Sequence, residues 1–347
     1  MQDPQSRTEI SQLGEFGLIE RLTAGFEPKL SNTWKGIGDD AAGISVGEQV
    51  VLTSTDLLTE GVHFDLSYTP LKHLGYKAVM VNLSDIAAMN AIPDHILVSL
   101  AVSNRFSVEA LEELYDGIRL ACDLYNIDLI GGDTTSSLSG LTISVTAFGI
   151  APEKRISSRL GANEGDLLVV SGDLGAAYMG LQLLEREKQV FEAAPQAQPK
   201  LEGADYQLER QLKPEARVDV VRKLRELDLV PTSMIDISDG LASEIFHLTS
   251  TNHLGCQLYE EKIPIDKSTY DLAREFNLDP TVCALSGGED YELLFTIPQA
   301  DFDKVKNHPD FSVIGHMTDA KSGNQLVTKS GVQTPLTAQG WDGLKTS

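Results

Sequence analysis

The segment that organises the chain is Thr53-Ser54-Thr55-Asp56-Leu57-Leu58-Thr59-Glu60-Gly61-Val62-His63-Phe64. It continues from Val50-Val51-Leu52, an apolar and β-branched run that predicts the end of a short buried strand. Two hydroxyls and a carboxylate then stand at consecutive positions, and such hard oxygen ligands suit Mg²⁺ better than zinc. Because Ser-Thr-Asp also closes strands and caps helices, the segment gains weight only if similar acidic segments recur.

Acidic segments of this design do recur, most of them predicted to be turns that adjoin an apolar strand. They contain Asp39 and Asp40, Asp56, Asp85, Asp133, Asp236 and Asp239, and Glu289 and Asp290. A single turn of this kind needs no special explanation, because Asp and Gly are among the commonest turn residues. Several carboxylates gathered in one place, however, repel one another and destabilise the fold unless a counter-ion is present. Glycine lets the backbone approach a ligand closely, and Mg²⁺ binds carboxylate and phosphate oxygens alike. The recurrence therefore predicts a site at which several metal ions hold phosphate groups.

The order of predicted elements indicates an α+β fold. Apolar periodicity predicts a helix over 71–89, strands over 95–102 and 142–150, and a helix with Ser107 as its N-cap. In the first helix Asn82 and Asp85 are three residues apart and share one face. Strands and helices mix without strict βαβ alternation, which favours an α+β fold over a doubly wound sheet.

The length of 347 residues exceeds the usual size of one domain and predicts two. The predicted boundary near Pro152 gives a flexible N-terminus at 1–13, an N-terminal domain at 14–151 and a C-terminal domain at 152–347. Residues 188–211 are rich in Pro, Gln, Ala and charge, which predicts a surface insertion or mobile loop. Proline is tolerated in the first helical turn, so a helix is predicted to begin at Pro214.

The charge balance restricts the classes of partner. There are 28 Lys and Arg against 51 Asp and Glu, a formal charge of −23. A surface this acidic disfavours nucleic acid and anionic membranes. It also repels a nucleoside triphosphate unless metal ions stand between the anions. We therefore expect no nucleic acid and no membrane among the partners.

Cysteine usage and apolar runs indicate the compartment. The three cysteines, Cys122, Cys256 and Cys283, form no CxxC pair, so neither a disulfide framework nor a zinc site is predicted. The first 30 residues contain no apolar core of signal-peptide type. The apolar stretch 78–100 is interrupted by charged residues and proline, which argues against a membrane span. We expect a cytoplasmic protein.

Other phosphate and catalytic motifs are absent from the sequence. There is no G-x-x-x-x-G-K-[ST] loop and no H-R-D or D-F-G kinase signature. Gly172-Asp173-Leu174-Gly175 lacks the third glycine of a dinucleotide fingerprint.

The acidic segments together resemble thiamine-monophosphate kinases over residues 14–343. The motifs are Gly-Ile-Gly-Asp-Asp-Ala-Ala at 36–42, Ser-Thr-Asp-x-Leu-x-x-Gly-Val-His-Phe at 54–64, Asn-Leu-Ser-Asp-Ile-Ala-Ala-Met at 82–89, Gly-Gly-Asp-Thr-Thr at 131–135, Asp-Ile-Ser-Asp-Gly-Leu at 236–241 and Ser-Gly-Gly-Glu-Asp-Tyr-Glu-Leu at 286–293. Aminoimidazole ribonucleotide synthetase, selenophosphate synthetase and a hydrogenase maturation protein share the general glycine-aspartate plan. The Gly-Val-His-Phe and Gly-Gly-Glu-Asp-Tyr-Glu-Leu motifs favour the kinase among them.

The resemblance implies ATP-dependent phosphorylation of thiamine monophosphate to thiamine diphosphate with several Mg²⁺ ions. It implies an N-terminal mixed-sheet domain that forms a barrel with its partner in a homodimer, and a C-terminal α/β sandwich-like domain. The active site would lie between the two domains of each chain.

The resemblance also implies roles for individual residues. The metal ligands would be Asp40, Ser54, Thr55, Asp56, Asp85, Asp133, Asp236 and Asp239, with Asp56, Asp85, Asp133 and Asp239 counted as catalytic. ATP would contact Gly132, Asp133, Arg159 and Ser238. The thiamine compound would contact His63, Glu289 and Trp341. Arg155 is a second candidate for the phosphate contact, but the spacing before Gly161-Ala162 favours Arg159.

The chemistry agrees with these expectations. The acceptor is a phosphate with a second pKa near ~6, so it arrives largely deprotonated and needs no general base. Metal ions held by carboxylates offset the repulsion between two anionic reactants, and a thiazolium cation suits an acidic site with an aromatic wall. Two alternatives remain at this point: a related ATP-dependent synthetase, and a non-catalytic acidic protein that binds nucleotide or divalent cations as a regulator.

Overall fold

A computed structural model describes residues 10–337, and its elements divide between two mixed β-sheets with helices packed on them. This architecture agrees with the predicted α+β class. Trp341 and residues 1–9, part of the predicted flexible N-terminus, lie outside the described residues. Within residues 10–337, no helix has the length and apolar character that crossing a bilayer needs.

The first sheet has six strands in the order β1-β2-β3-β6-β4-β5. They are β1 (Thr33–Lys35), β2 (Ala42–Val46), β3 (Gln49–Thr59), β4 (Pro93–Val102), β5 (Asp128–Ser136) and β6 (Leu141–Pro152). Strands β4 and β5 run parallel, and the other neighbours are antiparallel. The sequence Gly47-Glu48 closes the β2–β3 hairpin, with Val46 opposite Gln49, and Gly47 has the positive φ of +65° that suits a tight turn.

Helices α1 (Gly14–Thr23), α2 (Leu71–Ala88) and α3 (Val108–Tyr125) belong to the same half of the chain. Ser107 caps α3 as predicted, since its side chain accepts a hydrogen bond from the Ala110 N–H. Helices α2 and α3 cross at Gly75 and Gly117. A Cβ atom on Gly75 would lie 2.0 Å from the Leu114 carbonyl oxygen, so only glycine permits this approach.

The second sheet has seven strands in the order β13-β12-β9-β11-β7-β10-β8. They are β7 (Leu167–Ser171), β8 (Ser233–Asp236), β9 (Leu254–Tyr259), β10 (Leu293–Ile297), β11 (Phe311–Asp319), β12 (Asn324–Val327) and β13 (Gln333–Pro335). The helices are α4 (Ala176–Ala193), α5 (Asp205–Leu212), α6 (Val218–Glu226), α7 (Leu241–Asn252), α8 (Lys267–Glu275), α9 (Pro280–Ser286) and α10 (Phe302–Val305).

One apolar cluster connects the two halves. It contains residues of β3, β6 and α2 together with Val169, Met234 and Phe295 of the second sheet. Helix α2 lies against the first sheet and also against β8. This packing brings Asp85, near the end of α2, beside Asp236, the last residue of β8.

The structure corrects several predicted elements. The mobile loop predicted over 188–211 is wrong at both ends, because α4 extends to Ala193 and α5 begins at Asp205. The alternative, a surface insertion, stays a prediction. Gln207 and Gln211 of α5 are buried. The helix predicted to begin at Pro214 begins at Val218.

Two acidic segments predicted as turns are strands. Asp56 lies inside β3 and Asp133 lies inside β5. Hydroxyls and carboxylates interrupt the apolar alternation at both places, because those strand positions face a cavity or solvent instead of the core. Sequence periodicity therefore ends the predicted strand at Thr53 although the backbone continues extended to Thr59.

Candidate functional site

A cavity of about 1280 Å³ is lined by residues from both halves of the chain. Its walls come from the β1–β2 loop, β3, the loop after β3, α2, α4 and the segments that precede α7 and β10. It contains these residues with predicted roles: Asp40, Ser54, Thr55, Asp56, His63, Asp85, Arg159, Asp236, Ser238, Asp239 and Glu289. Most of the predicted site is thus gathered in one place.

Three carboxylates form the centre of this cavity. Oxygen atoms of Asp40, Asp85 and Asp236 all lie within 4.8 Å of one another. Asp40 stands just before β2, Asp85 on α2 and Asp236 at the end of β8, so the cluster is assembled from three distant parts of the chain. We call these three residues the carboxylate cluster.

Hydrogen bonds fix each member of the carboxylate cluster. The Ser54 hydroxyl donates to Asp85 Oδ2, and the Ser84 hydroxyl donates to Asp236 Oδ2 at 2.6 Å. Arg159 donates through Nε to Asp40 Oδ1 at 3.2 Å, while the buried Oδ2 atom of Asp40 has no hydrogen-bond partner among residues 10–337. These contacts hold the three carboxylates with oxygen atoms within 4.8 Å of one another.

Burial and mutual repulsion make the carboxylate cluster electrostatically strained. Burial raises the pKa of Asp40 to about 7 despite the opposing effect of Arg159, and the charge of Asp236 adds to the rise. Burial likewise raises the pKa of Asp236 to about 6. The pKa of Asp85 is raised well above its ordinary value by burial and then by the charge of Asp56. A divalent cation relieves this strain, and an all-oxygen donor set fits Mg²⁺.

Asp56 adjoins the carboxylate cluster from β3. Its backbone N–H donates to Asn82 Oδ1 at 2.9 Å, which joins β3 to the face of α2 that carries Asp85. Burial raises the pKa of Asp56 to about 6, with a further contribution from the charge of Glu15. Asn82 and Asp85 share one face of α2, as predicted. The hydrogen bond from Asp56 to Asn82 therefore also places Asp56 beside the carboxylate cluster.

Thr55 forms its hydrogen bonds with β6. Side chains alternate along a strand, so Ser54 and Asp56 face α2 whereas Thr55 faces away. The Thr55 hydroxyl donates to the Val145 carbonyl at 3.0 Å and accepts from Thr146 at 3.0 Å, both on β6. Thr55 nevertheless lines the cavity, and its role as a metal ligand stays a prediction.

The predicted ATP contacts Arg159 and Ser238 lie on the cavity wall with Asp239. The Asp239 N–H donates to Glu244 Oε1 at 3.0 Å, which fixes the turn before α7. Burial raises the pKa of Glu244 well above its ordinary value, and the charge of Asp239 adds to this. Glu244 was not predicted, although an acidic residue in the first turn of a helix after an aspartate is a recognisable signal.

The predicted thiamine contacts lie on another part of the wall. The Thr59 N–H donates to His63 Nδ1 at 3.0 Å, so the neutral imidazole carries its proton on Nε2. Burial lowers the pKa of His63 and favours this neutral form. Glu289 has a φ of +58°, unusual for a non-glycine residue. Its carboxylate contacts Lys77 and Gln211, neither of which was predicted, although a lysine among the small and apolar residues in the middle of α2 was a visible signal.

Gly132 and Asp133 are the predicted site residues that this chain does not bring to the cavity. They lie in β5, whose nine residues are all exposed. Strands β6 and β4 separate β5 from β3, and neither Gly132 nor Asp133 lines the cavity in the described part of the chain. The roles of Gly132 and Asp133 stay predictions.

Asp290 gives a testable pH dependence beside this site. Burial raises its pKa to about 7, although Arg210 and the Gly175 N–H, which donates to Oδ2 at 2.8 Å, oppose the rise. Because the folded-state pKa exceeds the unfolded value, the stabilisation is fully present below pH ~4 and is lost as pH rises through about 7.

When the pH is raised from 5 to 8, we expect the melting temperature of Asp290→Asn to fall by less than that of the parent protein. Asparagine keeps an acceptor for the Gly175 N–H but does not titrate. Melting temperatures measured at both pH values with saturating Mg²⁺ give the comparison, and Asp94→Asn, at an exposed carboxylate, serves as the control. Equal losses in Asp290→Asn and the parent would contradict the assignment.

Comparison with known proteins identifies the family. The AIR synthase related protein N-terminal domain matches residues 38–151, and the corresponding C-terminal domain matches residues 163–327. A curated relative, the thiamine-monophosphate kinase of Aquifex aeolicus (strain VF5), is 34% identical over 290 residues, which cover 84% of this chain and 88% of the relative. That of Escherichia coli (strain K12) is 34% identical over 336 residues, or 95% and 98% of the two chains.

Solved structures agree with the sequence comparison. AaThiL complexed with AMPPCP and TMP superimposes with a TM-score of 0.82 at 32% identity, and the match covers 97% of this chain and 99% of the other. Both domains, their order and nearly the whole length are therefore shared with these relatives. The chain belongs to the thiamine-monophosphate kinase family of the AIR synthase related proteins.

Proposed function

We propose that the protein phosphorylates thiamine monophosphate to thiamine diphosphate with ATP as donor. The observation that carries this proposal is the convergence of Asp40, Asp85 and Asp236 in one cavity that also contains His63 and Glu289. A relative of the same fold was solved with AMPPCP and TMP, which supports an ATP site and a thiamine monophosphate site in one protein.

The proposed reaction transfers the γ-phosphoryl group of ATP directly. A phosphate oxygen of thiamine monophosphate forms the new bond to the γ-phosphorus, the bond to the β-phosphate oxygen breaks, and ADP leaves. The acceptor phosphate is largely deprotonated at neutral pH, with a second pKa near ~6, so no side chain need remove a proton. This agrees with a site rich in carboxylates and without a histidine at its centre.

Bound Mg²⁺ ions would neutralise charge between the two phosphate groups and align them. We propose Asp40, Asp56, Asp85 and Asp236 as the residues that hold these ions, with Asp239 at the edge of the group. The Ser54 and Ser84 hydroxyls orient Asp85 and Asp236. Arg159, fixed on Asp40, can direct its remaining N–H groups at ATP, while Ser238 lies beside it on the cavity wall.

The thiamine half of the cavity uses neutral and paired groups. His63 offers an N–H donor from Nε2, since Nδ1 is occupied by the Thr59 N–H. Glu289 offers carboxylate oxygens, and its charge is offset by Lys77 at 2.9 Å. We keep Trp341 as a proposed contact on the family resemblance alone, because it lies outside the described residues.

We propose that the active form is a homodimer in the cytoplasm. Strand β5 is an edge strand with exposed Leu129 and Ile130, and an uncovered edge of this kind invites pairing with another chain. A dimer joined through the first sheets would let Gly132 and Asp133 of one protomer reach the cavity of its partner. The barrel formed by the two sheets is part of this proposal.

Direct identification of the product tests the proposed function. Incubation with ATP, Mg²⁺ and thiamine monophosphate is expected to give thiamine diphosphate and ADP in equal amounts, measured by chromatography and mass spectrometry. Unphosphorylated thiamine serves as the control acceptor and should give no diphosphate. Absence of thiamine diphosphate under conditions in which ATP binds would overturn the kinase assignment and favour a related synthetase or a nucleotide-binding regulator.

A further inference from the structure

Lys77 is a buried cation on the substrate side of the cavity. It belongs to α2, is 4% exposed, and lies among small and apolar residues. Its ammonium group lies 2.9 Å from Glu289 Oε1 and donates to the Gln211 carbonyl at 3.1 Å. A buried ammonium needs such partners, so Lys77 joins α2 of one domain to two segments of the other.

The Glu289 carboxylate is fixed at both oxygens. Lys77 contacts Oε1, and Gln211 Nε2 donates to Oε2 at 2.8 Å. The backbone is held as well, because the Glu289 N–H donates to the Ser238 carbonyl at 2.7 Å. With its charge offset by Lys77, Glu289 acts towards a ligand as an oriented hydrogen-bond acceptor more than as a free negative charge.

Gln211 adds a second acceptor beside Glu289. A carboxylate accepts hydrogen bonds and cannot donate them, so the bond to Glu289 fixes which end of the Gln211 amide carries nitrogen. The other end, Oε1, is therefore a carbonyl oxygen, and it is buried without a hydrogen-bond partner in the described structure. Gln211 is 5% exposed and its residue lines the cavity. A donor from a ligand in the cavity would satisfy this unpaired acceptor.

We propose that Gln211 is a specificity-determining residue and Lys77 a positioning residue, which together with Glu289 form a subsite for an exocyclic amino group. This inference rests on the proposed function, since the aminopyrimidine ring of thiamine monophosphate carries one such group. Its two N–H donors match the two kinds of acceptor, Glu289 and Gln211 Oε1. A substrate with an oxo group at that ring position would place its oxygen beside these two acceptors and donate no hydrogen bond, so the subsite would reject it.

Substitution of Gln211 tests the specificity role. We expect Gln211→Met, which keeps side-chain length but removes the amide, to lower the preference for thiamine monophosphate over its oxo analogue about tenfold, the loss of roughly one hydrogen bond. The ratio of kcat/KM for the two substrates is the readout, and KM for ATP should stay within about twofold. Gln189→Met, at an exposed glutamine of α4, is the matched control. An unchanged preference in Gln211→Met would overturn the role.

Substitution of Lys77 tests the positioning role separately. Lys77→Met should raise KM for thiamine monophosphate about tenfold with kcat and KM for ATP nearly unchanged, and Lys77→Arg should restore most of the affinity. Lys72→Met, five residues earlier in α2 and outside the cavity lining, is the control. Parallel losses in both KM values and in melting temperature would show a structural role and contradict the inference.

The proposed function and the subsite can fail independently. Calorimetric binding of thiamine monophosphate and its oxo analogue to the full chain with Mg²⁺ needs no turnover. Preference for the amino compound that disappears in Gln211→Met supports the subsite even if no thiamine diphosphate forms. Formation of thiamine diphosphate with equal binding of both compounds keeps the kinase and eliminates the subsite. If Lys77→Met does not fold, Gln211→Met decides, because it leaves the Lys77–Glu289 pair intact.

Discussion

Asp85→Asn is expected to abolish phosphoryl transfer, with kcat reduced by about a thousandfold or more, while the protein stays folded. Asp85 is one of three carboxylates whose oxygens lie within 4.8 Å of one another. Loss of its charge removes a ligand for the ions that would bridge the two phosphate groups, an effect worth several kcal/mol in the transition state.

Stability should respond in the opposite direction from activity. The pKa of Asp85 is raised by burial and by the charges of Asp56, Asp236 and Asp40, so its ionised form destabilises the metal-free fold. Asparagine has nearly the same shape and can still accept from the Ser54 hydroxyl. We therefore expect an equal or higher melting temperature for Asp85→Asn than for the parent protein when Mg²⁺ is absent.

The measurement pairs steady-state turnover with melting curves recorded with and without Mg²⁺. The parent should gain thermal stability on addition of Mg²⁺, and Asp85→Asn should gain less. Asp94→Asn, at an exposed carboxylate beside His95, is the matched control and should resemble the parent in both assays. Turnover within tenfold of the parent, or inactivity accompanied by a lower melting temperature, would refute a metal-holding role for Asp85.

The convergence of the acidic segments could be predicted from sequence because it follows from charge physics. Carboxylates that recur beside apolar strands have to be either solvated or shared around cations. Helix periodicity also placed Asp85 on the face that carries Asn82, and Asn82 does receive the Asp56 N–H at 2.9 Å. These are local or energetic rules, and they do not depend on knowing the topology.

Sheet order, by contrast, could not be predicted, and it decides which predicted ligands meet. Strand β6 lies between β3 and β4, which moves Asp133 away from Asp56. The alternation of side chains along β3 turns Thr55 towards β6. The run of polar residues there conceals this alternation in the sequence. Both outcomes depend on pairings between residues far apart in sequence, which periodicity does not report.

Composition is a poor guide to the structure of residues 188–211 for a related reason. A segment rich in Gln, Ala and Pro resembles a linker, yet Gln207 donates to Ser268 Oγ at 2.7 Å and to Thr269 Oγ1 at 3.0 Å, both in α8. Gln211 reaches Glu289 in the same way. Polar side chains can be core residues when distant partners satisfy them, and those partners are visible only in the fold.

The variants Asp133→Asn and Asp85→Asn are each expected to be inactive as homodimers. A heterodimer that contains one chain of each variant is expected to be active. Within one chain, the strand register places Asp133 of β5 opposite Ser99 of β4 and Ser99 opposite Ser144 of β6. Ser144 in turn lies opposite Leu57 of β3. Three strand spacings of ~4.8 Å therefore place Asp133 about 14 Å along the sheet from β3. Asp133 can serve as a ligand only if a symmetric partner brings it to the other protomer's cavity, and two-fold symmetry then supplies both cavities at once.

A heterodimer of the two variants separates this arrangement from every single-chain alternative. One of its cavities would combine both substitutions, whereas the other would combine an unaltered Asp85 with an unaltered Asp133. Purification through two different affinity tags after co-expression should therefore give about half the turnover of the parent dimer, since one of two equivalent sites is intact. The heterodimer of Asp56→Asn and Asp85→Asn is the matched control and should stay inactive, because those two residues adjoin each other in the same cavity. An inactive Asp133→Asn/Asp85→Asn heterodimer, or a monomeric active protein, would mean that Asp133 acts within its own chain or not at all, and the exposed edge of β5 would then need a different explanation.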